Sequence, residues 1–93
     1  MEVTVISPEG EVFRGQADAV ALPGGKGGFE VLNAHAPIVS TLEKGDVVIR
    51  NGKGFDEAFF AEGVGPDSDG RVVLEISSGV AKVSDNRLLI LID

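Results

Sequence analysis

Ninety-three residues suit one small domain, and 43% hydrophobic with 25% charged residues is the balance of a folded chain, not a disordered one. A formal net charge of -7 argues against nucleic acid or an anionic membrane surface as partner, since both need a basic patch. With no cysteine, a disulfide scaffold, a thiolate metal site and a catalytic thiol are excluded. The first residues lack a basic n-region and a long apolar stretch, so no signal peptide is expected. No apolar run reaches the ~18 residues of a membrane-spanning helix.

Taken in chain order, the residues read as short strands joined by turns. Glu2-Val-Thr-Val-Ile6 alternates polar and β-branched residues and predicts a strand. Ser7-Pro-Glu-Gly10 is a turn, because proline presets φ and glycine tolerates positive φ. Glu11 to Gly15 forms a hairpin with the first strand. Ala17 to Leu22 is a third strand, with Val20 and Leu22 on one side and the alanines on the other. A glycine loop, Pro23 to Gly28, precedes a short strand, Phe29 to Leu32. Ala36 stands before Pro37 and is biased toward extended backbone. Ile38 to Leu42 continues as a strand, Glu43 to Asp46 turns, and Asp46 to Arg50 is another strand.

Asn51-Gly52 is a strong signal for a two-residue hairpin, so Phe55 to Glu62 is expected to return against Asp46 to Arg50. Gly63 to Gly70 is a loop by composition. Arg71 to Ser77 places Val72, Leu74 and Ile76 on one face. Val80 to Val83 and the strongly apolar Arg87 to Ile92 close the series. No window has a helical period, and turns recur every ~6–12 residues, which is the all-β pattern. The expectation is one domain over 1–93: a flattened β-sandwich of about ten short, mostly antiparallel strands in two sheets.

Few residues suggest chemistry. Gly24-Gly-Lys-Gly-Gly28 lacks the hydroxyl after the lysine and the following helix that a phosphate-binding loop requires. It reads either as a flexible surface loop or as a place where another protein's backbone approaches closely. His35 is the only histidine, and no nucleophile elbow or orienting acid surrounds it. It reads as structural or as an interface contact. Asp56, Glu57, Glu62, Asp67 and Asp69 do not follow a calcium-loop order and read as a solvated hairpin tip. Of Phe55, Phe59 and Phe60, at least one is expected in the core. On residues alone this is a binding or structural module and not an enzyme, with no cofactor and no metal.

Several segments carry a resemblance. Ile6-Ser-Pro-Glu9, Val12-Phe13-x-Gly15, Leu22-Pro-Gly24, Gly27-Gly-Phe-Glu-Val-Leu-Asn-Ala-His-Ala-Pro-Ile38, Leu42-x-x-Gly45 and Ile76-Ser-Ser-Gly-Val-Ala-Lys-Val83 occur in this order over nearly the whole chain. Together they resemble the epsilon subunit of F-type ATP synthase. The resemblance implies a ten-stranded sandwich at the foot of the central stalk, binding the gamma subunit and the polar loops of the c-ring. Such a subunit couples proton-driven rotation to ATP synthesis without breaking bonds itself. It implies Gly24, Gly25, Lys26, Gly27, Gly28 and Glu30 toward the c-ring, and Ser7, His35 and Ser40 toward gamma. It also implies a peripheral place on the cytoplasmic face of a bacterial inner membrane, with no direct membrane insertion.

The chain departs from the family pattern in three places. The acid of the loop is replaced by Gly28, the next glycine by Glu30, and a Pro-Gly pair by Asn33-Ala34. The acidic ring contact is then lost or moved to Glu30. Phe55 to Gly70 is longer than the usual connection and reads as an inserted hairpin. The C-terminal helical hairpin of many members is absent, so its inhibitory role and ATP binding are not expected here. The acidic balance suits basic ring loops. The competing expectation is a free-standing sandwich that recognises peptide or carbohydrate, disfavoured because the chain has no Trp and no Tyr for an exposed platform.

Overall fold

The computed structural model describes all 93 residues. It contains ten strands: β1 (Glu2–Ser7), β2 (Gly10–Gln16), β3 (Ala19–Leu22), β4 (Phe29–Leu32), β5 (Ile38–Leu42), β6 (Gly45–Arg50), β7 (Phe59–Phe60), β8 (Arg71–Ile76), β9 (Gly79–Ser84) and β10 (Arg87–Ile92). They form two sheets, a large one in the order β5-β9-β10-β1-β2-β7 and a small one in the order β4-β3-β6-β8. All pairs are antiparallel except β1 with β10.

The inner faces of the two sheets meet in one core. Alternation decides which residues enter it, because successive strand side chains point to opposite faces. From β8 these are Val72, Leu74 and Ile76; from β3, Val20 and Leu22; from β10, Leu88 and Ile90. The core holds 18 buried apolar residues and no buried polar or charged one, so hydrogen bonding is left to the backbone ladders. Removing a fully buried side chain such as Ile90 costs about 2–5 kcal/mol, against a typical total of about 5–15 kcal/mol.

The Asn51-Gly52 hairpin does not form. β6 pairs with β3 on one side and β8 on the other, so no strand is left to return from Phe55 against it. A two-residue primed turn needs positive φ at both central residues. Neither Asn51 nor Gly52 adopts it. Asn51 instead donates Nδ2–H to the Gln16 carbonyl (2.8 Å) and accepts from the Lys53 N–H (2.9 Å), while the Gly52 N–H donates to Asp18 Oδ2 (2.8 Å). These bonds tie the chain to the end of β2 and steer it away from β6. The only strand in the expected return is β7, and it pairs with β2 through Phe13↔Phe60 and Arg14↔Phe59. The primed geometry appears at Asp85 and Asn86 (φ 51° and 57°), the two residues linking β9 to β10.

The long connection from β6 to β8 therefore closes one side of the sandwich. The Phe55 and Phe60 rings lie 5.7 and 5.5 Å from Phe13, and Val64 packs against the core beside them. At the far end of this connection Asp67 organises its own loop. Its carboxylate accepts from the backbone N–H of Arg71 and Asp69 and from the Arg71 guanidinium.

Candidate interaction surfaces

The strand registers sort the loops onto two ends of the sandwich. One end carries the glycine loop, the β1–β2, β5–β6 and β8–β9 turns, and Asp93. The opposite end carries Asn33 to Pro37, the β9–β10 turn and the 51–58 segment.

The glycine loop is stitched down. Gly25 N–H donates to the Thr41 carbonyl (3.1 Å), Glu43 N–H to the Pro23 carbonyl (2.8 Å) and Gly27 N–H to the Gly24 carbonyl (3.0 Å). The loop thus leaves the small sheet and seals the end of β5, the edge of the large one. Gly24 is required for this: a Cβ there would stand 2.7 Å from the Gly27 carbonyl oxygen and 2.8 Å from the Phe29 ring. Lys26 is the only charge on Gly24 to Gly28. Between the loop and β5 lies an open cleft of ≈ 600 Å³ lined by Val39, Ser40, Thr41 and Glu43 among others. Glu30 does not share this tip. It stands on the outer face of the small sheet, where Arg50 approaches it at 3.5 Å. The end as a whole is acidic: Glu9, Glu43, Asp46, Glu75 and Asp93 against Lys26 and Lys44.

The corner from Asn33 to Pro37 carries the chain from β4 of the small sheet to β5 of the large one. Ala34 adopts a left-handed φ of 60°, and its N–H donates to Asn86 Oδ1 (2.8 Å). Asn33 Oδ1 accepts from the Met1 amine. His35 is half-buried, with Nδ1 2.7 Å from the Ala36 carbonyl; that nitrogen donates in the Nδ1–H tautomer.

Ser7, His35 and Ser40 are not assembled into one cluster. Ser7 closes the β1–β2 turn, its Oγ 3.3 Å from both the Gly10 carbonyl and the Glu9 N–H. It lies at the glycine-loop end, three strands from β5, whereas His35 lies at the opposite end. Ser40 sits midway along β5 and bonds the Thr41 carbonyl (3.0 Å).

The sequence reading missed the surface between them. The outer face of the large sheet exposes Val39 (72%), Leu91 (45%), Phe59 (42%), Val80 (39%) and Leu89 (37%). Registers align these side chains in two rows: Val39, Lys82, Leu89, Thr4, Arg14, Phe59; and Thr41, Val80, Leu91, Ile6. The apolar members gather on β9 and β10 with Val39 and Ile6 beside them, and an exposed apolar cluster of this kind marks an interaction site rather than scattered surface residues. The available signal was the run Leu88-Leu-Ile-Leu-Ile92, apolar at every position, because a strand with one face in water alternates instead.

Comparison with known proteins agrees with this architecture. The family model "ATP synthase, Delta/Epsilon chain, beta-sandwich domain" matches residues 1–93. The chain belongs to this family. An ATP synthase epsilon chain from Leptospira interrogans is 33% identical over 93 residues, all of this chain and 61% of that relative. One from Francisella tularensis subsp. holarctica is 33% identical over the same length, 53% of that relative. One from Caulobacter vibrioides is 41% identical over 71 residues, 72% of this chain and 81% of that relative. This chain thus spans between half and two thirds of the length of the first two. A chain from the central stalk and c-ring of Tetrahymena thermophila mitochondrial ATP synthase superposes with a TM-score of 0.70 at 22% identity, covering 99% of this chain and 62% of that one, which shows the shared fold.

Proposed function

We propose that this family member is a rotor subunit of an F-type ATP synthase central stalk, peripheral to the membrane on its cytoplasmic face. In this reading it breaks no bond. It docks on the gamma subunit through the outer face of the large sheet and rests its glycine-loop end on the polar loops of the c-ring. Rotation of the ring is then passed to the stalk, and so coupled to ATP synthesis.

The observation that carries the reading is the apolar outer face of the large sheet in a chain of this family. Val80, Leu89 and Leu91 sit side by side at its centre, where anchoring residues of an interface concentrate. The face ends laterally at β5, where Val39 and Thr41 point outward and Ser40, opposite the buried Ala81, points to the inner side. His35 would lie beyond the end of β5 and Ser7 at a far corner, so a broad contact on this face reaches His35 and Ser7 but meets β5 through Val39 and Thr41 and not through Ser40. The glycine-loop end supplies what a slowly varying polar contact needs. It is backbone-rich along Gly24 to Gly28, held in shape by its bonds to β5 and to Glu43 in the turn that follows, and acidic around the loop. Lys26 puts a cation at the tip, so the loop side offers both signs to the ring.

Co-expression with the gamma subunit of the same organism, followed by sizing, tests this. A one-to-one complex is expected. Leu89→Asp places a charge at the centre of the face without touching the core and is expected to abolish the complex, since losing a central anchor costs about 2 kcal/mol or more. A complex that survives Leu89→Asp and Leu91→Asp together would refute the assignment of this face.

A further inference from the structure

We infer that β7 widens the docking face for this chain's own partner, with Phe59 as an added apolar anchor and Lys82 as the residue that selects a carboxylate on that partner. This rests on the reading of the outer face of the large sheet as the docking surface.

β7 contributes only two residues, and they divide the work. Phe60 turns inward onto Phe13. Phe59 must then turn outward, and it is 42% exposed. Closing the core required Phe55 and Phe60 but not an aromatic at Phe59. A sheet edge that is merely solvated is blunted by charge or polarity. Here the outward position of the last strand is an aromatic, steadied by the Arg14 guanidinium 5.7 Å from its ring centroid. The register sets Phe59 at the end of the row Val39, Lys82, Leu89, Thr4, Arg14, so it stands at the far edge of the face, set off from Leu89 by Thr4 and Arg14, as a second apolar contact point.

The charges on this face name the partner's chemistry. Arg14 pairs with Glu11 and Arg87 with Glu2, whereas Lys82 has no ion pair. A depression of ≈ 270 Å³ opens beside it, lined by Glu2, Thr4, Ser84, Arg87 and Leu89, with Glu2 already taken by Arg87. An unpaired cation within an apolar patch of a -7 chain calls for an acid from outside. The occupant is therefore a polypeptide with an apolar ridge and an Asp or Glu that reaches Lys82. A second copy of this chain fits poorly: a two-fold contact sets the same face against itself, and its two carboxylates are already paired.

The test measures binding of the chain to its gamma subunit for Phe59→Ser, Phe59→Tyr, Lys82→Glu and, on the opposite face, Val73→Ser. Phe59→Ser and Lys82→Glu are each expected to weaken binding about tenfold or more, with unfolding temperatures close to that of the parent chain. Phe59→Tyr and Val73→Ser should bind like the parent. If Leu89→Asp abolishes binding but Phe59→Ser does not weaken it, the docking face stands and the role of β7 is refuted. If Leu89→Asp is also silent, the reading of the face falls and this inference with it. A dimer of the chain alone that Phe59→Ser dissolves would assign the face to a second copy and overturn the proposal.

Discussion

Ala34 is the residue whose replacement tests the backbone account most sharply. It holds φ 60° at the corner between the sheets, with its N–H fixed by Asn86 Oδ1 at 2.8 Å. A side chain in the left-handed region costs about 1–2 kcal/mol relative to glycine. Glycine in turn loses more freedom on folding, which offsets about 0.4–1 kcal/mol. Ala34→Gly is therefore expected to stabilise the chain by about 0.5–1 kcal/mol. In a domain of this size that raises the unfolding temperature by roughly 2–8 °C. Ala34→Val should act in the opposite direction and by more, because a β-branched side chain crowds this φ further. Paired thermal and urea unfolding read both changes. An Ala34→Gly protein that is less stable than its parent would show that the corner is not left-handed in solution.

Other outcomes follow from the same geometry. Asn86→Ala removes both a residue suited to positive φ and the acceptor for Ala34 N–H, and should cost about 1–3 kcal/mol, whereas Asn86→Gly should restore the turn but not the bond. Gly24→Ala pushes a Cβ against the Gly27 carbonyl and the Phe29 ring; a loss of about 1–3 kcal/mol in urea unfolding is expected, and a neutral result would mean the loop is not folded this tightly onto Gly27 and Phe29. The backbone N–H of Arg71 holds the Asp67 carboxyl below the usual carboxylate range, opposed by partial desolvation and aided by Asp69 N–H and the Arg71 guanidinium. Its folded pKa is depressed, so its contribution is full above the ordinary carboxylate pKa and is lost as pH falls through the folded value. The stability difference between the chain and Asp67→Asn should therefore shrink as a titration descends below about pH 4; a difference that does not change would remove the assigned cause. In assembly with the c-ring, Glu43→Lys should matter more than Asp69→Lys, which lies in the Gly63–Gly70 segment, and equal effects would count against the proposed ring side.

The strands were legible in the sequence because their inner faces alternate: Val72, Leu74 and Ile76 enter the core as their spacing requires. The turn chemistry was ambiguous. Asn51-Gly52 and Asp85-Asn86 both suit a primed turn, and only the second has strands free to pair across it. The choice at Asn51 was made by distant groups, the Gln16 carbonyl and Asp18, that no local pattern reveals. The docking face was hidden for a similar reason. Val39, Val80, Leu91 and Ile6 lie on four strands of which only β9 and β10 are neighbours in the chain, and the order β5-β9-β10-β1 sets them together. Phe59 looked like one of three equivalent phenylalanines until the pairing of β7 with β2 fixed which side it faced.

The central claim is that the outer face of the large sheet meets the stalk. Because the chain has no cysteine, single thiols report cleanly on each face. The decisive measurement is thiol labelling of Leu91→Cys and Val73→Cys proteins, free and in the assembled ATP synthase. The account predicts that both react when free, and that assembly protects the first and leaves the second reactive. Protection of Val73→Cys with continued labelling of Leu91→Cys would place the stalk on the small sheet and contradict it.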